Sequence, residues 1–282
     1  MTVAQAFQQL AAALSTIYDA GEAHSIARIV FEDVFYIRNM QRRDRLSSSQ
    51  LAQLSRIQSR LLNNEPVQYI IGRTHFYGLN FKVDRRALIP RQETEELVHW
   101  ILEDHLEAEN RLRALDIGTG TGCIPITLKV KRPHWEIHAL DISPQALALA
   151  RENARENLIE LVFHEADILE KAYWPELPHF DLIVSNPPYI PPSEAYLVPE
   201  NVQTYEPHEA LFTGEEEPLI FYERIIEFAL EYLKPGGRLY FEANEYRAID
   251  VRDLMREKGL KQVELRRDIG GRDRMLKGEL DA

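Results

Sequence analysis

The chain has 282 residues, 45% apolar and 28% charged, an ordinary globular composition with enough length for one large domain or a catalytic domain plus a smaller one. No apolar run approaches the length of a membrane span, and a single cysteine, Cys123, excludes an intramolecular disulfide and a cysteine-rich zinc site. The net charge of −12 is uneven: residues 1–90 carry 11 basic and 7 acidic groups and the remainder 22 and 38, so the larger part is a poor electrostatic match to duplex nucleic acid.

The opening MTVAQAFQQL lacks the basic-then-apolar pattern of a secretory signal, and with one cysteine a reducing cytoplasm is the expected location. Phe7, Leu10, Leu14 and Ile17 recur at helical spacing, as do Ile26, Ile29, Val30, Val34 and Ile37. Ser47 and Gln50 have capping-box spacing ahead of a third helix through Leu51, Leu54, Ile57 and Leu61. Residues 1–65 are therefore expected to form a small helical domain. After Pro66 the stretch VQYIIGRTHFYGLNFKVD has the aromatic and β-branched texture of a β-hairpin, and residues 66–88 are expected to link the helices to a catalytic domain over 89–282.

From residue 111 strand-like and helix-like segments alternate, which predicts an α/β domain with a largely parallel sheet. Strands are expected at 111–118, 136–143, LVFHEAD, FDLIVS and RLYFEA, with helices from Cys123, at 144–158 behind Pro144, at 218–233 and near 246–258. The closing KQVELRRD and DRMLKG, turned at Gly270-Gly271, read as an antiparallel hairpin that makes the sheet mixed at one edge.

ALDIGTGTGCI sets Gly118, Gly120 and Gly122 where the first of these strands turns into a helix, so the backbone can approach a ligand and helix N–H groups face it. The final glycine of a dinucleotide fingerprint is missing, which disfavours a dehydrogenase. Asp141 ends the next strand 21 positions after Gly120, where a carboxylate can accept both ribose hydroxyls of NAD or S-adenosylmethionine; helix capping at Pro144 is its structural alternative. Asp167 and Ile168 follow the third strand and are candidates for the adenine edge and face, with capping again the alternative for Asp167.

Asn186-Pro187-Pro188-Tyr189 leaves the fourth strand on the same rim of the sheet. The prolines fix the turn and donate no hydrogen bond. The Asn186 side-chain oxygen and the Pro187 carbonyl can each accept one N–H of a planar amino group while the Tyr189 ring packs on its face. This arrangement aims a nitrogen lone pair and stabilises charge developing on it. No strong general base is required, since the proton can leave after the methyl group arrives. Glu93, Glu95 and Glu242 are therefore read with the other acidic residues as mostly solvated, and the nine histidines show no metal-ligand spacing, so no metal is expected.

The glycine loop with Asn-Pro-Pro-Tyr resembles class I S-adenosylmethionine-dependent methyltransferases of planar amino groups, either adenine amines or glutamine amides. PVQYIIGRTHFYGLNFKVD, IPRQETEELV, YEPHEAL and RDIGGRDRMLKG together resemble the PrmC/HemK family, the glutamine N(5)-methyltransferases of peptide chain release factors. The resemblance implies a Rossmann-like, seven-stranded mixed sheet with a helical domain that recognises substrate. It implies that Gly118, Thr119, Gly120, Thr121 and Gly122 line the methionine part of S-adenosyl-L-methionine, with Asp141 on the ribose and Ile168 on the adenine. Asn186, Pro187, Pro188 and Tyr189 would then hold the glutamine of a Gly-Gly-Gln loop in class I release factors, with Asn186 also touching the cofactor and S-adenosyl-L-homocysteine as the other product. No DNA or membrane partner is expected, and an adenine methyltransferase of DNA or RNA is the competing reading. A noncatalytic cofactor-binding module would require the Asn-Pro-Pro-Tyr motif to be only a rigid turn. The family commonly has Pro-Arg-Pro-Asp-Thr-Glu where this chain has Pro90-Arg91-Gln92-Glu93-Thr94-Glu95, and some members have Trp at the position of Ile168.

Overall fold

The computed structural model describes residues 1–106, 111–215 and 217–281, which divide into two compact units. The first comprises Met1–Arg73 and Pro199–Tyr205. Its helices are α1 (Val3–Leu14), α2 (Ala20–Asp33), α3 (Ser48–Leu62) and α4 (Val67–Ile71). Thr2 with Gln5 and Ser47 with Gln50 form complete capping boxes at α1 and α3, which satisfies amides that the helices cannot pair internally. The apolar stripes meet in a core of Phe7, Leu10, Leu14, Val30, Phe31 and Leu61, where Phe7 and Phe31 stack edge-to-face at 5.5 Å. Ile17 lies beyond the end of α1 and is exposed.

The hairpin is shorter than its texture predicts. Val67–Ile71 is helical and stops at Gly72 in the left-handed region, and only β1 (Arg73–Phe76) and β2 (Leu79–Lys82) pair. Tyr77 and Gly78 both have positive φ in the tight turn between them, the geometry that matches strand twist.

The second unit comprises Thr74–Val198 and Glu206–Ala282. After β2 come α5 (Gln92–Asp104), β3 (Arg113–Ile117), α6 (Cys123–Lys131), β4 (Glu136–Asp141), α7 (Pro144–Glu156), β5 (Val162–Glu165) and β6 (Phe180–Ser185). The chain passes through α8 (Glu200–Tyr205), which belongs to the helical unit, to α9 (Ile220–Tyr232), β7 (Leu233–Glu242), α10 (Ala248–Glu257), β8 (Lys261–Arg267) and β9 (Asp273–Glu279). Among the described residues seven strands form one sheet in the order β5-β4-β3-β6-β7-β9-β8, parallel except for β9.

Both faces of this sheet are covered, and the strand period sorts side chains between them. Leu115, Ile183 and Leu239 enter one apolar cluster with α9 and α10, while their neighbours Ala114, Leu182 and Tyr240 enter another with α5 and α6. The strand order reverses about β3, so the carboxyl ends of β3, β4 and β6 open a crevice there.

Gly122 caps α6 with φ +79°. A Cβ added there would lie 3.0 Å from Ile126 Cδ1 and 3.2 Å from Ala150 Cβ, so the residue sets how closely α6 approaches α7. Gly122→Ala is expected to lower unfolding free energy by roughly 1–3 kcal/mol through φ strain and overpacking. Urea melts should register this loss, while cofactor affinity of the folded fraction stays near wild type.

Candidate active site

A cavity of about 740 Å³ opens at the carboxyl rim of the sheet, entirely within the second unit, a size suited to a cofactor and part of a second substrate. Three walls of it matter chemically. The first is the glycine loop, from which Gly118, Thr119, Gly120 and Thr121 line the space. Gly118 and Thr119 donate their N–H groups to the Leu140 carbonyl at 2.9 and 3.0 Å. The loop is also held from behind, where buried Asn153 donates to the Thr121 carbonyl at 2.9 Å and pairs with the Lys82 backbone. Gly122 does not border the cavity; its work is the helix packing described above.

The second wall is the end of β4. Asp141 Oδ2 accepts the Gly120 N–H at 2.8 Å and Oδ1 accepts the Ser143 N–H at 2.9 Å. The α7 N-cap is Ser143, whose hydroxyl accepts from Ala146 N, so Asp141 is not the helix cap that its position also allowed. Burial raises the Asp141 pKa, and the two backbone N–H groups pull it back down. Each carboxylate oxygen has further lone-pair capacity beyond its single backbone bond. Beside it, Ile142, Ala166, Ile168 and Leu169 supply apolar surface. Ile168 is fixed by its own carbonyl, which accepts from Trp174 Nε1 at 3.2 Å. Asp167 lines the cavity and accepts the Leu169 N–H through Oδ1; it closes a local turn rather than capping the next helical turn, which begins behind Glu170.

The third wall is Asn186, Pro187 and Pro188, following Ser185. Ser185 Oγ donates to the Ile117 carbonyl at 2.7 Å, which ties the end of β6 to β3 below the turn. Tyr189 does not border the cavity. Its ring packs on the apolar cluster under α9, and burial followed by the nearby Glu242 pushes its hydroxyl up to about 12.

Several lining residues come from segments that the sequence marks only through the family resemblance, or not at all. Arg91 and Thr94 come from the entry to α5, and Pro207, Glu209, Ala210 and Phe212 from the stretch before α9. Buried Glu206 joins these two segments, accepting the Ile89 N–H at 3.1 Å and Arg91 Nη2 at 2.6 Å. The IPRQE and YEPHEA segments were visible as family motifs, but their mutual contact was not.

Glu242 is only 2% exposed, not a solvated surface carboxylate as its type suggests. It accepts the Thr94 hydroxyl at 2.6 Å, and Asn186 Nδ2 in turn makes a long 3.4 Å contact to Thr94 Oγ1. Burial pushes Glu242 up to about 7, while Thr94 and Arg274 oppose the rise. Cys123 lines the cavity but is a thiol pushed up to about 12 by burial, unsuited to act as a nucleophile at neutral pH. Among the described residues no cluster of three or more His, Cys, Asp or Glu is placed to hold a metal ion.

These donors and acceptors fit S-adenosylmethionine. A carboxylate with lone pairs to spare would suit ribose hydroxyls, an apolar slot a purine, and a glycine loop the amino-acid portion. The sheet order, the antiparallel β9 and a ligand cavity at the strand carboxyl ends define a class I S-adenosylmethionine-dependent methyltransferase fold.

Residues 5–72 match the PrmC N-terminal domain and residues 99–200 the methyltransferase small domain. The chain is 39% identical over 275 residues to the release factor glutamine methyltransferase of Flavobacterium psychrophilum, covering 95% of this chain and 96% of that one. It belongs to the release factor glutamine methyltransferase family. A Lactococcus lactis relative of the same name is 42% identical over 235 residues, covering 83% and 84% of the two chains. Among solved structures, the Thermus thermophilus 16S rRNA N2 G1207 methyltransferase, in complex with AdoMet and guanosine, shares the fold. Its TM-score is 0.54 at 17% identity, over 74% of this chain and 49% of that one. Among the described residues no helix is long and apolar enough to cross a membrane.

One buried group next to the glycine loop was missed by the sequence reading. Asp116 is 2% exposed and neither carboxylate oxygen has a hydrogen-bond partner among the described residues. Burial, then repulsion from Asp141, pushes it up to about 7; the Thr119 hydroxyl pulls the value down without reaching hydrogen-bonding geometry. The folded state therefore holds this proton more tightly than the unfolded chain. The associated stability is present below about pH 4, is lost as pH rises through about 7, and is flat beyond. Asp116→Asn removes that titration, so its melting temperature relative to wild type should improve from pH 5 to pH 8 in cofactor-free buffer. A pH-independent difference would mean that Asp116 does not carry this proton.

Proposed function

We propose that this enzyme transfers a methyl group from S-adenosyl-L-methionine to the side-chain amide nitrogen of the glutamine in the Gly-Gly-Gln motif of class I peptide chain release factors, working in the cytoplasm. The observation that carries the reading is that Asn186, Pro187 and Pro188 line the same cavity as the glycine loop and Asp141. Family membership supports glutamine over adenine, and so does the acidic excess of residues 91–282, which repels a phosphate backbone.

When bound, the cofactor supplies an electrophilic methyl group. Asp141 would hold its ribose, Gly118 to Thr121 its amino-acid portion, and Ile168 its adenine, with Asp167 at the edge of the ring. Asn186 Oδ1 and the Pro187 carbonyl would each accept one N–H of the glutamine amide, which fixes its plane and directs its nitrogen toward the methyl group. The same two oxygens face the positive charge that builds on nitrogen, and the proton then leaves to water. Tyr189, packed behind the turn, would brace the Pro188 backbone rather than cover the amide. The 1–65 helices would grip the release factor away from its modified loop.

The deciding experiment offers methyl-labelled cofactor with a release factor, the same factor with its Gly-Gly-Gln glutamine changed to Ala, a DNA duplex and an RNA. Label is expected only in the intact release factor. Label in nucleic acid but not in that factor would overturn the proposal in favour of an adenine methyltransferase.

Two substitutions separate the walls of the site. Asn186→Ala should lower kcat by roughly 100-fold, the scale of one preorganised transition-state contact, with cofactor Kd by calorimetry little changed. Asp141→Ala should weaken cofactor binding by about tenfold or more, the scale of a lost charged hydrogen bond, and an unaltered Kd would remove Asp141 from the ribose.

A further inference from the structure

The amide of Asn186 can face the cavity with its oxygen or with its NH₂, and only the oxygen can accept from a substrate N–H. Resting on the acceptor role proposed above, we propose that Thr94 and Glu242 are positioning residues that hold Asn186 with its oxygen toward the cavity. The hydroxyl proton of Thr94 sets this orientation. Thr94 Oγ1 donates to Glu242 Oε2 at 2.6 Å. An ionised carboxylate only accepts, so the single Thr94 proton is committed to it. Thr94 Oγ1 then has only lone pairs to offer Asn186, and the edge that answers a lone pair is Nδ2, found 3.4 Å away. Oδ1 is left for the cavity.

Protonating Glu242 releases this constraint. Its O–H can then donate to Thr94, the Thr94 hydroxyl can donate to Asn186 Oδ1, and the amide turns its NH₂ toward the incoming nitrogen. The ionised form is the productive one, so turnover is held above the Glu242 titration and lost as pH falls through it. The charged and titratable groups facing Glu242 are Arg91 ahead of α5, Glu93 on α5, Arg274 on β9, Cys123 on α6, Tyr189 after β6 and Tyr222 on α9. Arg274, with its pKa raised, stays charged there and the two tyrosines and the cysteine, all raised by burial, stay neutral, so Glu93 is the other carboxylate in this set.

Thr94 lines the cavity but is not assigned to cofactor or substrate, and Glu242 does not border it. The test compares Thr94→Val, Thr94→Ser and Glu242→Gln with wild type in the full chain, on whichever acceptor the wild type labels. A wrong acceptor assignment and a wrong positioning assignment therefore fail separately. Calorimetric cofactor binding confirms that each variant is folded. Thr94→Val should lower kcat at pH 8 by about tenfold or more, the range of a misoriented catalytic group, with cofactor Kd unchanged, and Thr94→Ser should recover most of that loss. Glu242→Gln should lower kcat at pH 8 and flatten the acid limb of the wild-type kcat profile. The proposal is overturned if Thr94→Val keeps wild-type kcat, if serine fails to recover it, or if the acid limb survives in Glu242→Gln.

Discussion

The carboxylate of Asp141 is the joint on which the catalytic rim is assembled. Its two oxygens take the N–H groups of Gly120 and Ser143, so one side chain at the end of β4 ties the loop after β3 to the entry of α7. The charge is desolvated by its surroundings and answered by backbone donors that cannot move away. A ligand hydroxyl of the kind proposed for this site would meet acceptors held in place by these two bonds. The glycine loop is thus tied to the end of β4 by a contact inside the protein.

The opposite wall achieves the same rigidity by other means. Pro187 and Pro188 restrict the turn through their rings and contribute no N–H, so the acceptors of this segment are not consumed by a ladder. Ser185 anchors the strand end below, and Tyr189 anchors the chain beyond by packing into the core. One wall is therefore fixed by filling acceptors with backbone donors and the other by removing donors from the backbone. Asp141, Asn186 and Pro187 all line the cavity, and their oxygens would suit a cofactor rich in hydroxyls and a substrate whose reacting group is an NH₂.

Local signals made most of the architecture legible. The strand-loop-helix at Gly118 to Gly122, the proline that opens α7, the capping box at Ser47 and the closing hairpin are each written within a few consecutive residues. What the sequence misplaced depends on partners far along the chain. Val67–Ile71 has strand-like composition but is helical, packed with the front helices. Asp141 and Ser143 are both good cap residues two positions apart, and only geometry shows that Ser143 caps while Asp141 reaches the glycine loop. Glu242 looked like one more surface acid because its partner Thr94 lies 148 residues away, and Asn186 is 92 residues from the same hydroxyl. Gly122 belonged to a recognisable motif, yet its neighbours Ile126 and Ala150 give it a packing role that the motif does not separate from ligand contact.

The acceptor pair proposed on Asn186 and Pro187 cannot by itself distinguish a glutamine amide from an adenine amine, because each presents two coplanar N–H bonds. Discrimination must therefore come from what is attached to that group. An adenine brings a phosphate backbone, and the 38 acidic against 22 basic residues of positions 91–282 make that approach unfavourable over a Debye length of about 8–10 Å. A glutamine at the tip of a peptide loop brings no such charge and needs only to be long and narrow enough to enter. On this account the site reads nitrogen geometry, and the field of the surrounding protein decides which molecules can present it.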